Sequence, residues 1–512
     1  MTLPACPHVD FSDDQAAAWS RVAAAIGARG VDLAAGVAGR AEGAGAKVAV
    51  LGKAGSGKTH LLARLVKDLE ASGVKIAAPE EGKTRPGRRT LAVVTPTNKA
   101  ASVLRQRGVP ATTLHRMLYR PNFHPDYQHL VEWLTGERSD EPAMEPALLL
   151  RAKAAYAAHK SVVVALAMAG MRGSDFIAGW TARKDPLDIG FVDEASMLGE
   201  HHLEDLATLF PTLVLFGDPA QLAPVKGGAM VFDALPDGER VSLSRVHRQA
   251  ADSPILDLAH ALGDPDLGFG EFERLVEQAA ERDERVVVAG RVDAALMPRS
   301  PVLVWRNQTR MRLIRAFRTA FDAPPNRLLP GEPLVCDGLE LPAKMQSRRV
   351  ELEARGLIRG AQTVYLGPGR RAGFARVFVV GSEDPVVSCR AIVRIESPDE
   401  EEAFLPFVAN MGATFVHGAA LTIHKAQGSQ WEDVQVFAPD LWAAARSGLA
   451  EAGVPLWKRL AYVALTRAQH RLLWVRQPRL SRPAAPLTVD DLAGVTASPE
   501  QSLFAGEGIV TG

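Results

Sequence analysis

Residues 52–59, Gly-Lys-Ala-Gly-Ser-Gly-Lys-Thr, limit what this chain can fold into more than any other stretch. They match GxxxxGK[ST] in full. Before them, Lys47 to Leu51 (KVAVL) is a short apolar run that reads as a buried strand. After them, Thr59 to Val66 carries apolar residues at helical spacing. Strand, glycine loop and helix in that order are the context the motif needs. The glycines let the backbone curl until successive N–H groups converge on phosphate oxygens. The helix N-terminus adds partial positive charge. In this pattern Lys58 reaches the β- and γ-phosphates and the Thr59 hydroxyl ligates Mg²⁺. The expected activity is nucleoside triphosphate hydrolysis. A glycine turn placed by chance before a core helix would leave the Lys-Thr pair and the flanking strand unexplained.

The chain has 512 residues, room for two to four domains. Its 59 basic and 59 acidic residues cancel, so global charge announces no nucleic-acid partner, and a groove of local charge would have to supply one. Cys6, Cys336 and Cys389 are far apart and lack metal-ligand spacing, which predicts reduced, packing thiols. No apolar run reaches membrane-span length and the first residues do not read as a signal peptide, so a cytoplasmic protein is expected.

Further along, the fold class reads as α/β. Ser12 is a plausible helix N-cap, with Gln15 at the capping-box position. Gln15 could equally pair with an adenine edge through its amide, and local sequence leaves both roles open. Apolar strands recur at 91–95, 189–192 and 212–216. The first ends in Thr95-Pro96-Thr97-Asn98, small polar groups at the strand end that lines the usual ligand crevice of a parallel sheet. The second ends in Asp193-Glu194, which suits a Walker B pair: Asp193 toward Mg²⁺ and Glu194 polarising the attacking water. The third leads into Gly217-Asp218-Pro219-Ala220-Gln221, where Gln221 could sense the γ-phosphate. A second α/β unit begins near Arg248 and the strand 301–305. Residues 330–415 turn to short β-type runs separated by Gly and Pro, a small β-rich module.

In order, the motifs are SDDQ at 12–15, GKAGSGKT at 52–59, TPTNKAA at 95–101, TTLHRML at 112–118, VDEASM at 192–197, GDPAQLAPV at 217–225, VHRQ at 246–249, IHKAQGSQW at 423–431 and YVALTRAQ at 462–469. This set resembles a superfamily 1 helicase, closest to the 5′-to-3′ branch that includes RecD-type and phage Dda-type enzymes. The resemblance covers most of residues 11–475. It implies two RecA-like motor domains with parallel sheets, 1–119 with 188–240 and 241–329 with 416–475. An insertion at 120–187 that carries a wedge or pin interrupts the first, an SH3-like module at 330–415 interrupts the second, and a loosely docked or disordered tail follows at 476–512.

The resemblance also implies an ATP site of Gln15, Gly52, Lys53, Ala54, Gly55, Ser56, Gly57, Lys58, Thr59, His60 and Gly428, with Mg²⁺ on Thr59 and Asp193. Lys58, Glu194 and Gln221 would serve hydrolysis, with Arg248 and Arg467 as arginine fingers from the second domain. Single-stranded DNA and its junctions with duplex would be the partners, met by Pro96, Thr97, Asn98, His115, His424 and Lys425. Phe123, Tyr127 and Trp133 are the aromatics offered for strand separation, although packing is their commoner use. Gln430 stands where related helicases often carry Glu near the ribose. The implied protein is a monomeric DNA helicase of the kind used in replication, recombination and repair. A DNA-stimulated ATPase that displaces proteins, or a motor subunit of a larger complex, are the alternatives.

Overall fold

The computed structural model describes residues 3–40, 45–78, 89–123, 125–159, 165–166, 177–223, 230–245, 253–325, 327–340, 346–371, 373–382, 384–395, 403–404, 412–451 and 453–489. Two parallel sheets and a small barrel organise them.

The first sheet runs Arg240–Leu243, Ala46–Gly52, Thr212–Gly217, Ile189–Val192, Thr90–Thr95. The short strands Lys75–Ile76 and Ala111–Thr113 both lie on the far edge of Thr90–Thr95, and every pairing is parallel. Parallel sheets are covered on both faces, so their strands are near-continuous apolar runs. Ile189–Val192 and Thr212–Gly217 are accordingly buried at every position. Helices Asp13–Gly27 and Lys58–Ala71 cover one face through Trp19, Val22, Leu61 and Leu65. Helix Glu200–Leu209 and Phe232 cover the other. The strand Arg240–Leu243 corrects the expected boundary at 240: it extends Ala46–Gly52, so the first domain continues past that point.

The second sheet runs Val286–Ala289, Ala468–Val475, Trp431–Phe437, Val302–Val304, Ala420–Thr422, again all parallel. Helices Pro254–Ala261, Phe269–Arg282, Ala438–Ser447 and Leu456–Leu465 share one apolar core with it.

Between Val302–Val304 and Ala420–Thr422 the chain makes a closed barrel. Its strands are Pro333–Glu340, Gln362–Pro368, Phe374–Val379, Val386–Ile395 and Gly412–His417, and the pairing of Phe374–Val379 with Val386–Ile395 closes the ring. Closure removes the open edges a small sheet would otherwise expose. Cys336, Cys389, Val377 and Phe415 fill its interior. Both chain ends of the barrel meet at one buried knot. Glu332, 0% exposed, accepts from Leu329 N–H at 2.7 Å and lies 2.9 Å from His417 Nε2 and 3.1 Å from Arg318 Nε. Arg318 belongs to the second-domain helix Asn307–Ala320.

The insertion stands on a two-stranded antiparallel arm, Tyr119–Phe123 against Ile177–Ala182. Helices Pro125–Thr135 and Pro146–His159 pack together through Tyr127, Leu130, Leu149 and Ala152. After the last strand, the segment to Val489 lies along the second domain, with Val292 bridged to Leu480, while 490–512 fall outside the described residues. Cys6, Cys336 and Cys389 are free thiols. Among the described residues no helix is long and apolar enough to cross a membrane.

Candidate functional site

The strand Ala46–Gly52 ends at the loop that starts helix Lys58–Ala71. Gly55 and Gly57 take φ of +83° and +81°, backbone that L side chains rarely adopt. Gly52 is needed for space: a Cβ there would sit 2.3 Å from Ser56 Oγ. The Lys58 ammonium donates to the carbonyls of Gly52 and Lys53 and lies 4.0 Å from Asp218 Oδ2. Ser56 Oγ is buried with no partner in the described structure.

This loop floors a cleft of about 690 Å³ between the two sheets, a usual size for a small-molecule site. Gln15, Ala54, Gly55, Ser56, Gly57, Lys58, Thr59, His60, Asp193, Glu194, Gln221, Gly428 and Arg467 all line it. Gly52 and Lys53 precede the lining residues in the loop. The two readings of Gln15 are compatible. Its carbonyl accepts from Ser12 N–H at 3.2 Å as a cap, while its Nε2 is buried and unpaired on the cleft side of the helix. An unpaired buried donor is costly unless something accepts from it. The turned loop, the helix N-terminus and these two orphaned polar groups fit a nucleoside triphosphate. Thr59 and Asp193 offer one hydroxyl and one carboxyl, a donor set that suits Mg²⁺ completed by phosphate and water.

Asp193 and Glu194 follow the buried strand Ile189–Val192. Burial, and then the neighbouring Glu194 charge, push the Asp193 carboxyl up to about 7, with Lys58 pulling the other way. Two adjacent carboxyl groups of this kind favour a cation beside them. Glu194 holds φ +56°, a left-handed conformation that costs about 1–3 kcal/mol in a residue with a side chain. Opposite stands Arg467, just beyond helix Leu456–Leu465 and 6% exposed. It donates to Val463 O at 3.1 Å, Ser429 O at 3.2 Å and Thr466 Oγ1 at 3.1 Å. These are neutral acceptors, and the charge that draws it most is Glu194. Arg248 lies outside the described residues.

A second cavity, about 660 Å³, runs between the first domain, the barrel and the second domain. Pro96, Thr97, Asn98, His115, His424 and Lys425 all line it. Lys99, Arg116, Arg349, Arg359 and Lys425 give it five cationic groups against two anionic ones, Asp337 and Glu353, a local balance hidden by the neutral total. Burial lowers the imidazoles of His115 and His424, so both are neutral near pH 7. The Trp180 ring lies edge-on to His115 at 4.1 Å between centroids and is 46% exposed. Tyr127, by contrast, is 3% exposed inside the insertion, and Trp133 packs there under Lys153. The Phe123 side chain lies outside the described residues.

A thin wall separates the two cavities. Gly428, at φ +73°, lines the first, and a Cβ there would lie 2.9 Å from the Oγ1 of Thr97, which lines the second. Thr97 in turn caps the helix Asn98–Gln106, accepting from Ala100 N–H at 3.2 Å. Sequence reading missed Asp10, Arg107, Asp218, Tyr462 and Trp180. For Asp218 and Tyr462 the signal was available, since both sit inside motifs.

A family model described as an AAA domain matches residues 37–290, and one described as a UvrD-like helicase C-terminal domain matches residues 417–475. The ATP-dependent RecD2 DNA helicase of Deinococcus radiodurans is 34% identical over 99 residues, 17% of this chain and 14% of that protein, so the chain spans a small part of that relative's length. Among solved structures, the Pif1 helicase from Candida albicans is 16% identical and covers 92% of this chain and 96% of its own, with a TM-score of 0.46. The Bacteroides Pif1 helicase in complex with ADP-AlF3 and ssDNA is 13% identical, covers 85% of this chain and 90% of its own, and gives 0.42. Both superpositions are loose.

Proposed function

We propose that this chain, which resembles the superfamily 1 helicases of the RecD-like branch, hydrolyses ATP between its two sheets to move along single-stranded DNA, 5′ to 3′, and opens duplex ahead of it. The observation that carries this reading is the wall between the cavities. Residues of both domains line each cavity, and Gly428 meets Thr97 across it. A change in the spacing of the domains therefore alters both cavities at once.

In the first cavity the P-loop amides and Lys58 bind the β- and γ-phosphates, and Gln15 Nε2 donates to the adenine edge. Thr59 and Asp193 would hold Mg²⁺, which would supply neutralisation of the phosphate charge. Glu194 orients and polarises the attacking water, and Gln221 contacts the γ-phosphate. Arg467, held by neutral acceptors, stabilises the charge that develops on the transferring phosphoryl group. Arg248 is assigned the same task from its motif.

In the second cavity the cationic groups follow the DNA backbone, and Thr97, Asn98, His115, His424 and Lys425 contact it without reading sequence. Trp180 offers an exposed ring to a base at the mouth of the insertion arm. It replaces Tyr127 and Trp133 in that role because their rings are committed to packing.

The test is steady-state ATP hydrolysis with and without single-stranded DNA, followed by unwinding of duplexes with a 5′ or a 3′ tail. Stimulation on the order of tenfold or more, with unwinding confined to the 5′-tailed duplex, is the expected result. An intact basal rate that DNA leaves unchanged would overturn the motor reading, and preference for the 3′ tail would overturn the polarity.

A further inference from the structure

One face of one helix holds the nucleotide loop of the opposite domain. In Leu456–Leu465, Arg459 and Tyr462 are three apart and share a face. Arg459 donates to the carbonyls of Pro219, at 3.2 Å, and Gln221. Leu222, 0% exposed, is buried in the core of the second domain, with Ala54 and Ala220 packed against that core. The 218–222 loop is thus a first-domain element seated in second-domain surroundings.

Tyr462, 2% exposed, completes the contact. Its hydroxyl accepts from the Ala54 N–H, inside the P-loop, at 2.8 Å and donates to Asp218 Oδ2 at 2.7 Å. The other Asp218 oxygen accepts from Ala220 N–H at 2.9 Å. Asp218, 1% exposed, faces the Lys58 ammonium at 4.0 Å. A single phenol from the second domain therefore fixes one P-loop amide and the carboxylate nearest the P-loop lysine. A phenol can do both, because it is donor and acceptor at once. A phenylalanine ring fills the same space and does neither.

We propose that Tyr462 is a positioning residue: through Ala54 and Asp218 it ties closure of the second domain to the placement of Lys58. The proposal rests on the ATPase reading above. Tyr462 touches no substrate. With its O–H present, Asp218 is shared between the phenol and Lys58, and the ammonium is left available to phosphate. Without it, Asp218 has lost the donor that holds it beside Lys58 and the Ala54 N–H is left unpaired, so neither the carboxylate nor the loop that places the ammonium is fixed. The loss falls on turnover, because the nucleotide still meets the remaining loop amides.

The experiment compares wild type, Tyr462→Phe, Asp218→Asn and the double variant. It measures turnover at saturating ATP and single-stranded DNA, nucleotide affinity by titration with a fluorescent ATP analogue, and thermal melting. Tyr462→Phe is expected to lower kcat by about 10- to 100-fold, the range for one neutral and one charge-assisted hydrogen bond, with affinity changed by less than about threefold. Asp218→Asn is expected to show the same split, and the double variant to be no worse than the worse single one. Turnover of Tyr462→Phe within about twofold of wild type, equal losses in turnover and affinity, or additive losses in the double variant would overturn the proposal. If Tyr462→Phe melts out, the split in Asp218→Asn decides. Failure of the wild-type protein to hydrolyse ATP would instead remove the premise and the proposal with it. Wild-type turnover matched by Tyr462→Phe overturns the proposal alone.

Discussion

At the scale of single residues, the nucleotide cleft is built from groups whose local bonds are incomplete. Arg467 is buried on neutral acceptors, and the Gln15 amide nitrogen is buried without an acceptor while its oxygen caps the helix. Arg467→Ala is expected to cut turnover on the order of 10³-fold or more, the effect of losing an arginine finger, with little change in nucleotide affinity. Paired measurement of kcat and analogue binding checks this, and equal losses would contradict it. Gly428→Ala is expected to weaken DNA stimulation while leaving much of the basal rate. A Cβ there meets Thr97 Oγ1, and φ of +73° strains any side chain. Basal and DNA-saturated rates measured side by side decide it: an unchanged ratio of the two would argue against the wall as the coupling element.

At the scale of elements, the sequence was most legible where chemistry and local structure coincide. The P-loop and the Asp193-Glu194 strand end could be read because strand, turn and helix are short-range patterns. Gln15 could not be resolved to one role because it has two polar ends, one capping the helix and one facing the cleft. Tyr462 and Asp218 each sit inside a motif, but their pairing was hidden by distance along the chain: 244 residues separate them, and 408 separate Tyr462 from Ala54. The boundary at 240 failed because a short strand can join either sheet until its neighbour is known, and Arg240–Leu243 joins the first. In the insertion, aromatic content alone could not separate a packed ring from a presented one. Tyr127 and Trp133 lie on a helix that closes a small core, whereas Trp180 lies on a strand beside the channel. Trp180→Ala is therefore expected to slow unwinding of a tailed duplex several-fold while DNA-stimulated hydrolysis stays within about twofold, since base stacking on an aromatic is worth about 1–3 kcal/mol. Parallel loss of both activities would assign Trp180 to general DNA binding.

At the scale of the whole molecule, a neutral chain carries a local excess of cationic groups in one channel. Its affinity for single-stranded DNA is expected to fall as salt rises, with a log–log slope of about −0.7 for each phosphate neutralised. Fluorescence anisotropy across a salt series checks this, and a flat response would contradict the channel as the DNA path.

The knot at Glu332 has a mechanical consequence. Because Arg318, Glu332 and His417 bind the first and last strands of the barrel to a second-domain helix, the barrel is mounted on that domain like a collar bolted to one jaw. Toward the other jaw the described residues include the ion pair Arg116–Glu353, at 3.0 Å, with the two side chains 43% and 22% exposed. A contact of that kind is worth about 0–1 kcal/mol and can let go and re-form at little cost. The barrel is thus fixed to the second domain and only lightly tied to the first, so a change in the spacing of the two domains would be taken up at the Arg116–Glu353 contact.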